Sequence, residues 1–118
     1  MLSLTKLLRS VKHAWRGLVY TWRHEQNFRI QTFIGCVVVG AGLWLGLSEL
    51  RMVLVLLLVM TVLLLELANT FFEKLVDMLS PRVHTYVGML KDLLAAIVFV
   101  AAVGSVVIGF LIFYPYIF

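Results

Sequence analysis

Four polar side chains interrupt an otherwise apolar stretch of this chain: Glu66, Asn69, Glu73 and Asp77. They stand at i, i+3, i+7 and i+11, so at about 100° per residue they fall within an arc of about 80° on one helix face. A charge in hydrocarbon costs on the order of 2.5–3.5 kcal/mol on insertion scales, which makes an intramembrane carboxylate functional by default. A helix end solvated by headgroups accounts for Asp77 alone better than for four groups on one stripe. Glu25, in His24-Glu25-Gln26-Asn27, and the pair Lys91-Asp92 are expected at the same membrane depth. Glu25, Glu66, Glu73 and Asp77 form a hard oxygen set without thiolate, which suits Mg²⁺. That ion is typically held by one or two carboxylates plus substrate phosphates. Lys91 can pair with phosphate as a point charge, and a remaining carboxylate can take a proton from a hydroxyl. The chemistry implied is phosphoryl transfer to an alcohol at a membrane surface.

The composition supplies the membrane. Of 118 residues, 63% are apolar and 14% charged, against roughly 45–50% and 25% in ordinary globular chains. A chain this small buries only a modest fraction of its surface, so water is a poor solvent for it. Mean hydropathy is +1.04. The formal charge of +4 does not indicate a nucleic-acid partner, because most of the basic residues flank apolar stretches, where anionic headgroups are the expected counter-charge. The lone Cys36 excludes an internal disulfide and a Cys-based metal site.

One all-α membrane domain over residues 1–118 is expected. In residues 1–28 the apolar positions Leu4, Leu7, Leu8, Val11, Trp15, Leu18, Val19 and Trp22 recur in steps of three and four among five Lys/Arg, the pattern of an amphipathic helix lying in the interface. It lacks the unbroken apolar core and cleavage site of a signal peptide. Three stretches, 30–47, 52–72 and 93–113, approach the ~20 residues that cross a membrane as a helix. Ser48-Glu49-Leu50-Arg51 reads as a tight turn, and 78–90, with the helix stop Ser80-Pro81, as a loop. Lys6, Arg9, Lys12, Arg16, Arg23, Arg29, Lys74, Arg82 and Lys91 then share one side and Arg51 stands alone on the other. That places the N-terminus and the 74–91 segment in the cytoplasm. Three short spans enclose a polar site poorly, so a homo-oligomer is expected.

No Gly-rich Walker loop and no kinase-type His-Arg-Asp is present, which excludes the familiar soluble nucleotide folds. His13 reads as a solvated surface residue, while His24 and His84 stand between loop filler and nucleotide contact. A non-enzymatic oligomeric scaffold has no need of the four-residue stripe. An ion channel wants polar groups through the depth of a span, and the third span offers only Ser105.

The run Glu66-Leu67-Ala68-Asn69-Thr70-Phe71-Phe72-Glu73-Lys74-Leu75-Val76-Asp77 resembles the signature of the prokaryotic diacylglycerol kinase and undecaprenol kinase family. His84…Lys91-Asp92…Ala95-Ala96, Trp15-Arg16-Gly17-Leu18 and Trp22…Glu25…Phe28-Arg29 are similar to further elements of it. The resemblance implies a homotrimer of three-span chains, each with a surface helix, in the bacterial cytoplasmic membrane. It implies transfer of the ATP γ-phosphate to a membrane lipid alcohol, with sites between subunits. Carried over, Glu66 is the general base and Asn69 assists it at the substrate. Glu25 and Glu73 are Mg²⁺ ligands. Lys91 meets the nucleotide phosphates, Asp92 the adenosine end, and Asp77 the nucleotide side. His84 and Gly88 belong to a loop closing over ATP, while Trp15 and Ala95 fall on the lipid side. Ala95, where the diacylglycerol branch tends to have Ser, and His24-Glu25-Gln26-Asn27 favour undecaprenol as acceptor, whereas Gly88 favours diacylglycerol. Gln31 stands where some members have an acid.

Overall fold

The computed structural model describes residues 3–79 and 84–118. All regular structure among them is helical: α1 Leu4–His24, α2 Gln26–Leu45, α3 Glu49–Leu79 and α4 His84–Ile117. The helices α2, α3 and most of α4 are each long and apolar enough to cross a membrane. The third helix packs against both others, and α1 contacts α2. Large side chains such as Phe33, Phe99 and Val106 stay exposed, because lipid rather than the chain itself is their solvent.

Two helices, α3 and α4, run past their apolar stretches at both ends. The 31 residues of α3 span about 46 Å at 1.5 Å per residue, more than the ~30 Å hydrocarbon thickness. Hydropathy marks the lipid-crossing part, whereas backbone hydrogen bonding continues through Glu73 and Asp77 to Leu79. On the far side of the link, α4 already begins at His84. The expected 78–90 loop is therefore shorter, and Gly88 sits within a helix. Ser80 and Pro81 lie outside the described residues. The first helix ends at His24 rather than 28, where Glu25 leaves helical geometry (φ −116°, ψ 107°) and α2 starts at once.

The expected Ser48–Arg51 turn is displaced toward the N-terminus. Gly46 ends α2 in the left-handed region (φ 71°), which costs other residues roughly 1–2 kcal/mol. The Leu47 N–H donates to Gly42 O at 3.1 Å, the six-to-one bond of a Schellman motif. Ser48 then caps α3, its Oγ accepting from the Arg51 N–H at 3.4 Å, so Glu49, Leu50 and Arg51 already form the first helical turn. Glu49 suits the positive end of the helix dipole.

The far end of α4 closes on this turn. Pro115 has no N–H, which leaves the Leu111 carbonyl without its helical donor. Beside it, Arg51 Nη1 donates to Ile112 O at 2.7 Å. The guanidinium lies 5.6 Å from the Tyr116 ring centroid, and the Ser48 N–H donates to Tyr116 Oη at 3.3 Å. Mid-bundle, α2 and α3 approach at Gly35, where a Cβ would fall 2.7 Å from Val59 Cγ1. Small residues permit such helix contacts in lipid.

Candidate active site

The polar stripe on α3 lines a cavity of about 320 Å³ between α2, α3 and α4. Glu66, Asn69 and Glu73 come from α3, Asn27 and Gln31 from α2, and Ala95, Val98, Phe99 and Ala102 from α4. Helical spacing turns each set inward: 27 and 31 are one turn apart, and 95, 98, 99 and 102 follow the three-four repeat.

Glu66 is the most buried acid, 4% exposed. Its carboxylate has lost water, and Glu25 and Glu73 lie within charge–charge range of it. One turn on, Asn69 Nδ2 donates to Glu73 Oε1 at 3.4 Å. The Asn69 Oδ1 is buried without a hydrogen-bond partner among the described residues. A stranded amide oxygen costs about 1–3 kcal/mol, so its survival beside a buried carboxylate marks a place prepared for a donor from outside the chain. Thr70, also buried, gives its hydroxyl proton to Glu66 O at 3.1 Å, which keeps the Thr70 hydroxyl satisfied locally.

The cavity does not gather every expected residue. Asp77 lies beyond it and forms an ion pair with Lys91, Nζ to Oδ1 2.7 Å, joining the ends of α3 and α4. The Asp77 carboxyl, outside the hydrocarbon, is held below its ordinary value first by the Lys91 hydrogen bond. Asp92 is exposed on α4. Trp15 is exposed on α1, and neither residue lines the cavity. Gly88 faces open space, with nothing within 4 Å of where a Cβ would stand. His84 opens α4. Glu25 occupies the α1–α2 junction, half-buried.

Among the described residues, no group of three His, Cys, Asp or Glu side chains is assembled for a metal. Glu25 and Glu73 each lie within charge–charge range of Glu66, and two carboxylates is the number Mg²⁺ takes when phosphates complete its shell. The donor set fits that ion.

A second cavity of about 490 Å³ lies beside the first and is almost wholly apolar. Gln31 and Ala102 line both. Val98, Phe99 and Ala102 are lining residues that sequence reasoning did not single out. Stepping three, four and seven residues along α4 from Ala95 would have found them.

A buried carboxylate and a buried amide oxygen among three membrane-length helices are groups that an enzyme of the bilayer could use. Residues 12–113 match the prokaryotic diacylglycerol kinase family, and the chain belongs to it. It is 37% identical over 112 residues to an undecaprenol kinase of Bacillus subtilis, covering 95% of this chain and 91% of that one. It is 36% identical over 104 residues to a diacylglycerol kinase of Synechocystis, with 87% of this chain but 59% of that protein covered. A diacylglycerol kinase of Haemophilus influenzae is 31% identical over 112 residues, covering 94% and 95%. The chain is thus a membrane lipid kinase, and a kinase of this family takes ATP as co-substrate.

Proposed function

We propose that this lipid kinase phosphorylates a single-chain prenol, undecaprenol ahead of diacylglycerol, at the cytoplasmic face of the bacterial inner membrane. The observation that carries the acceptor class is a polar cavity with an apolar one beside it, the two sharing Gln31 and Ala102 in their walls. A hydroxyl reaching Glu66 leaves an apolar tail to follow Gln31 and Ala102 into the cleft between α2, α3 and α4. Ala95 lines the polar cavity without offering a hydroxyl, which suits an acceptor with one polar group better than one with ester carbonyls to satisfy.

In the reaction, the acceptor oxygen attacks the γ-phosphorus, the bond from that phosphorus to the bridging oxygen breaks, and ADP leaves. Glu66 takes the hydroxyl proton. Accepting it removes one of three neighbouring negative charges from a desolvated pocket. Asn69 Nδ2, with one hydrogen left after its bond to Glu73, donates to the acceptor oxygen and so leaves the hydroxyl hydrogen for Glu66. Glu25 and Glu73 would hold Mg²⁺, which when bound neutralises charge on the phosphates. Lys91, released from Asp77, pairs with phosphate, and Asp92 serves the adenosine end. His84 and Gly88 stand at the start of α4, on the nucleotide side.

The apolar face of α1, from Leu4 to Trp22, lies in the cytoplasmic headgroup layer, with Trp15 toward the lipid. A homotrimer completes the lipid-facing surface and brings sites to the subunit boundaries. The test is radiolabelled ATP with purified protein in mixed micelles offering diacylglycerol and undecaprenol side by side. Label in undecaprenyl phosphate first is the expected result. Label chiefly in phosphatidic acid would reverse the acceptor order.

A further inference from the structure

The junction of α1 and α2 is a single residue, Glu25, and the side chain that closes it is Arg29. A helix leaves its last carbonyls without donors. Thr21 O receives the Glu25 N–H at 2.8 Å. Arg29 Nη1, from the first turn of α2, donates back to Trp22 O at 2.6 Å and to Arg23 O at 3.2 Å. The Arg29 N–H meanwhile donates to Glu25 O at 3.3 Å. Arg29 therefore grips the chain on both sides of Glu25, and its positive charge sits at the negative end of the α1 dipole.

This clamp acts with few other contacts: Thr21 is buried, and the Tyr20 ring of α1 lies 5.6 Å from Lys74 Nζ of α3. Glu25 has extended backbone and makes no side-chain cap to α2, and α1 is exposed over nearly all its length. Without the guanidinium, rotation about Glu25 swings α1 and moves the carboxylate relative to Glu66 and Glu73. Lysine is a poor replacement, since an ammonium on a flexible stem is not held in the fixed plane that aims both Nη1 hydrogens at the two carbonyls.

We infer that Arg29 is a positioning residue that sets the α1–α2 elbow and so places the Glu25 carboxylate for divalent metal. This rests on the reading that Glu25 holds Mg²⁺, and the experiment separates the two. Spin labels at Ser10→Cys and Ser48→Cys in a Cys36→Ser chain, diluted with unlabelled protein, report the elbow by their distance distribution. Kinase assays titrate Mg²⁺ and lipid separately. Arg29→Ala should broaden the distance distribution and raise the Mg²⁺ requirement on the order of 10-fold, the usual cost of losing a group that orients a ligand. The lipid KM should not move, and Arg29→Lys should fall between. Should Arg29→Ala fail to fold, Arg29→Lys decides by the same readouts. An unchanged distance distribution overturns the inference, as does a rise in lipid KM alone, which would assign the guanidinium to the acceptor. A fully active Glu25→Gln would instead remove Glu25 from the metal site, whatever the elbow does.

Discussion

The two ends of the helix bundle treat their polar groups in opposite ways. At the turn end, Arg51, Ser48 and Tyr116 bond within the chain: guanidinium to the Ile112 carbonyl, backbone N–H to the tyrosine oxygen. At the cavity end, Asn69 Oδ1 has no partner, Glu66 is buried among like charges, and the Asn69–Glu73 bond is long at 3.4 Å. At the turn Ser48 is exposed and Arg51 and Tyr116 are half-buried, whereas Glu66 and Asn69 Oδ1 are buried in the cavity. Among the described residues, the cavity end alone buries a side-chain polar atom that has no partner. Unsatisfied valence, rather than polarity, therefore distinguishes the site from the clasp, and mutations at the two ends should separate activity from stability.

The largest effect is expected at Glu66. Glu66→Gln keeps the shape but cannot take the hydroxyl proton, so turnover should fall at least ~10²-fold, the low end for lost acid–base catalysis. Mg-ATP binding and the assembled, folded state should be retained. A variant that loses its fold would move Glu66 to the structural side of the comparison, and full activity would shift the search for the base to Asp92.

Asn69 gives the sharpest contrast. Asn69→Leu removes an orphaned acceptor at similar volume, so thermal unfolding in detergent should shift upward or stay level. Activity should drop by at least ~10-fold, because a positioned hydrogen bond to the reacting hydroxyl is lost. A drop in both together would mean that the amide is already satisfied in the native assembly.

The clasp should behave in reverse. Arg51→Met removes a charged hydrogen bond and a cation–π contact, worth roughly 1.5–3 and 0.5–1 kcal/mol as general magnitudes. Tyr116→Phe removes one neutral bond, about 0.5–1.5 kcal/mol. Both should lower the unfolding temperature in that order while kcat at saturating substrates stays within about two-fold, under 0.5 kcal/mol of barrier. A large loss of kcat in either would mean that the far end is coupled to the cavity.

How far the sequence carries is visible in the same residues. Glu66, Asn69 and Glu73 could be assigned to one site because helical periodicity alone puts them on one face. Asp77 satisfies the same angular test and still misses the cavity. Eleven residues beyond Glu66 it stands about 16 Å further along the axis, a height that an 80° arc does not encode. Val98, Phe99 and Ala102 stand out only by their helical spacing from Ala95, since apolar residues in an apolar span offer no contrast of their own. The clamp of Arg29 on Trp22 and Arg23 reaches six and seven residues back, a separation that no single helix brings together. It exists only because the chain breaks at Glu25. Helix ends were misjudged for a related reason: the sequence shows where lipid stops, and α3 and α4 do not stop there.

The smallest expected effect joins the two lessons. Asp77 and Lys91 are satisfied by each other at 2.7 Å, yet both are substantially exposed, so solvent screens the pair and its contribution to stability is small. Its sign is defined. The folded-state carboxyl is held below its ordinary value, chiefly by the Lys91 hydrogen bond, so its contribution is present above the unfolded Asp value of about 3.9 and is lost as pH falls through the lower folded one. The ammonium is raised by the same bond, so its part holds below the ordinary Lys value of about 10.4 and disappears as pH rises through the higher folded one. Between these limits the pair should hold the start of α4 to α3 at constant strength. Amide exchange near Lys91 should accordingly be flat from about pH 5 to 9, after correction for intrinsic rates, in wild type relative to Asp77→Asn. If Lys91 transfers to phosphate in the working enzyme, a non-hydrolysable Mg-ATP analogue should abolish that difference between the two proteins. A difference that persists with nucleotide bound would keep Lys91 on Asp77 and group this pair with the clasp rather than the site.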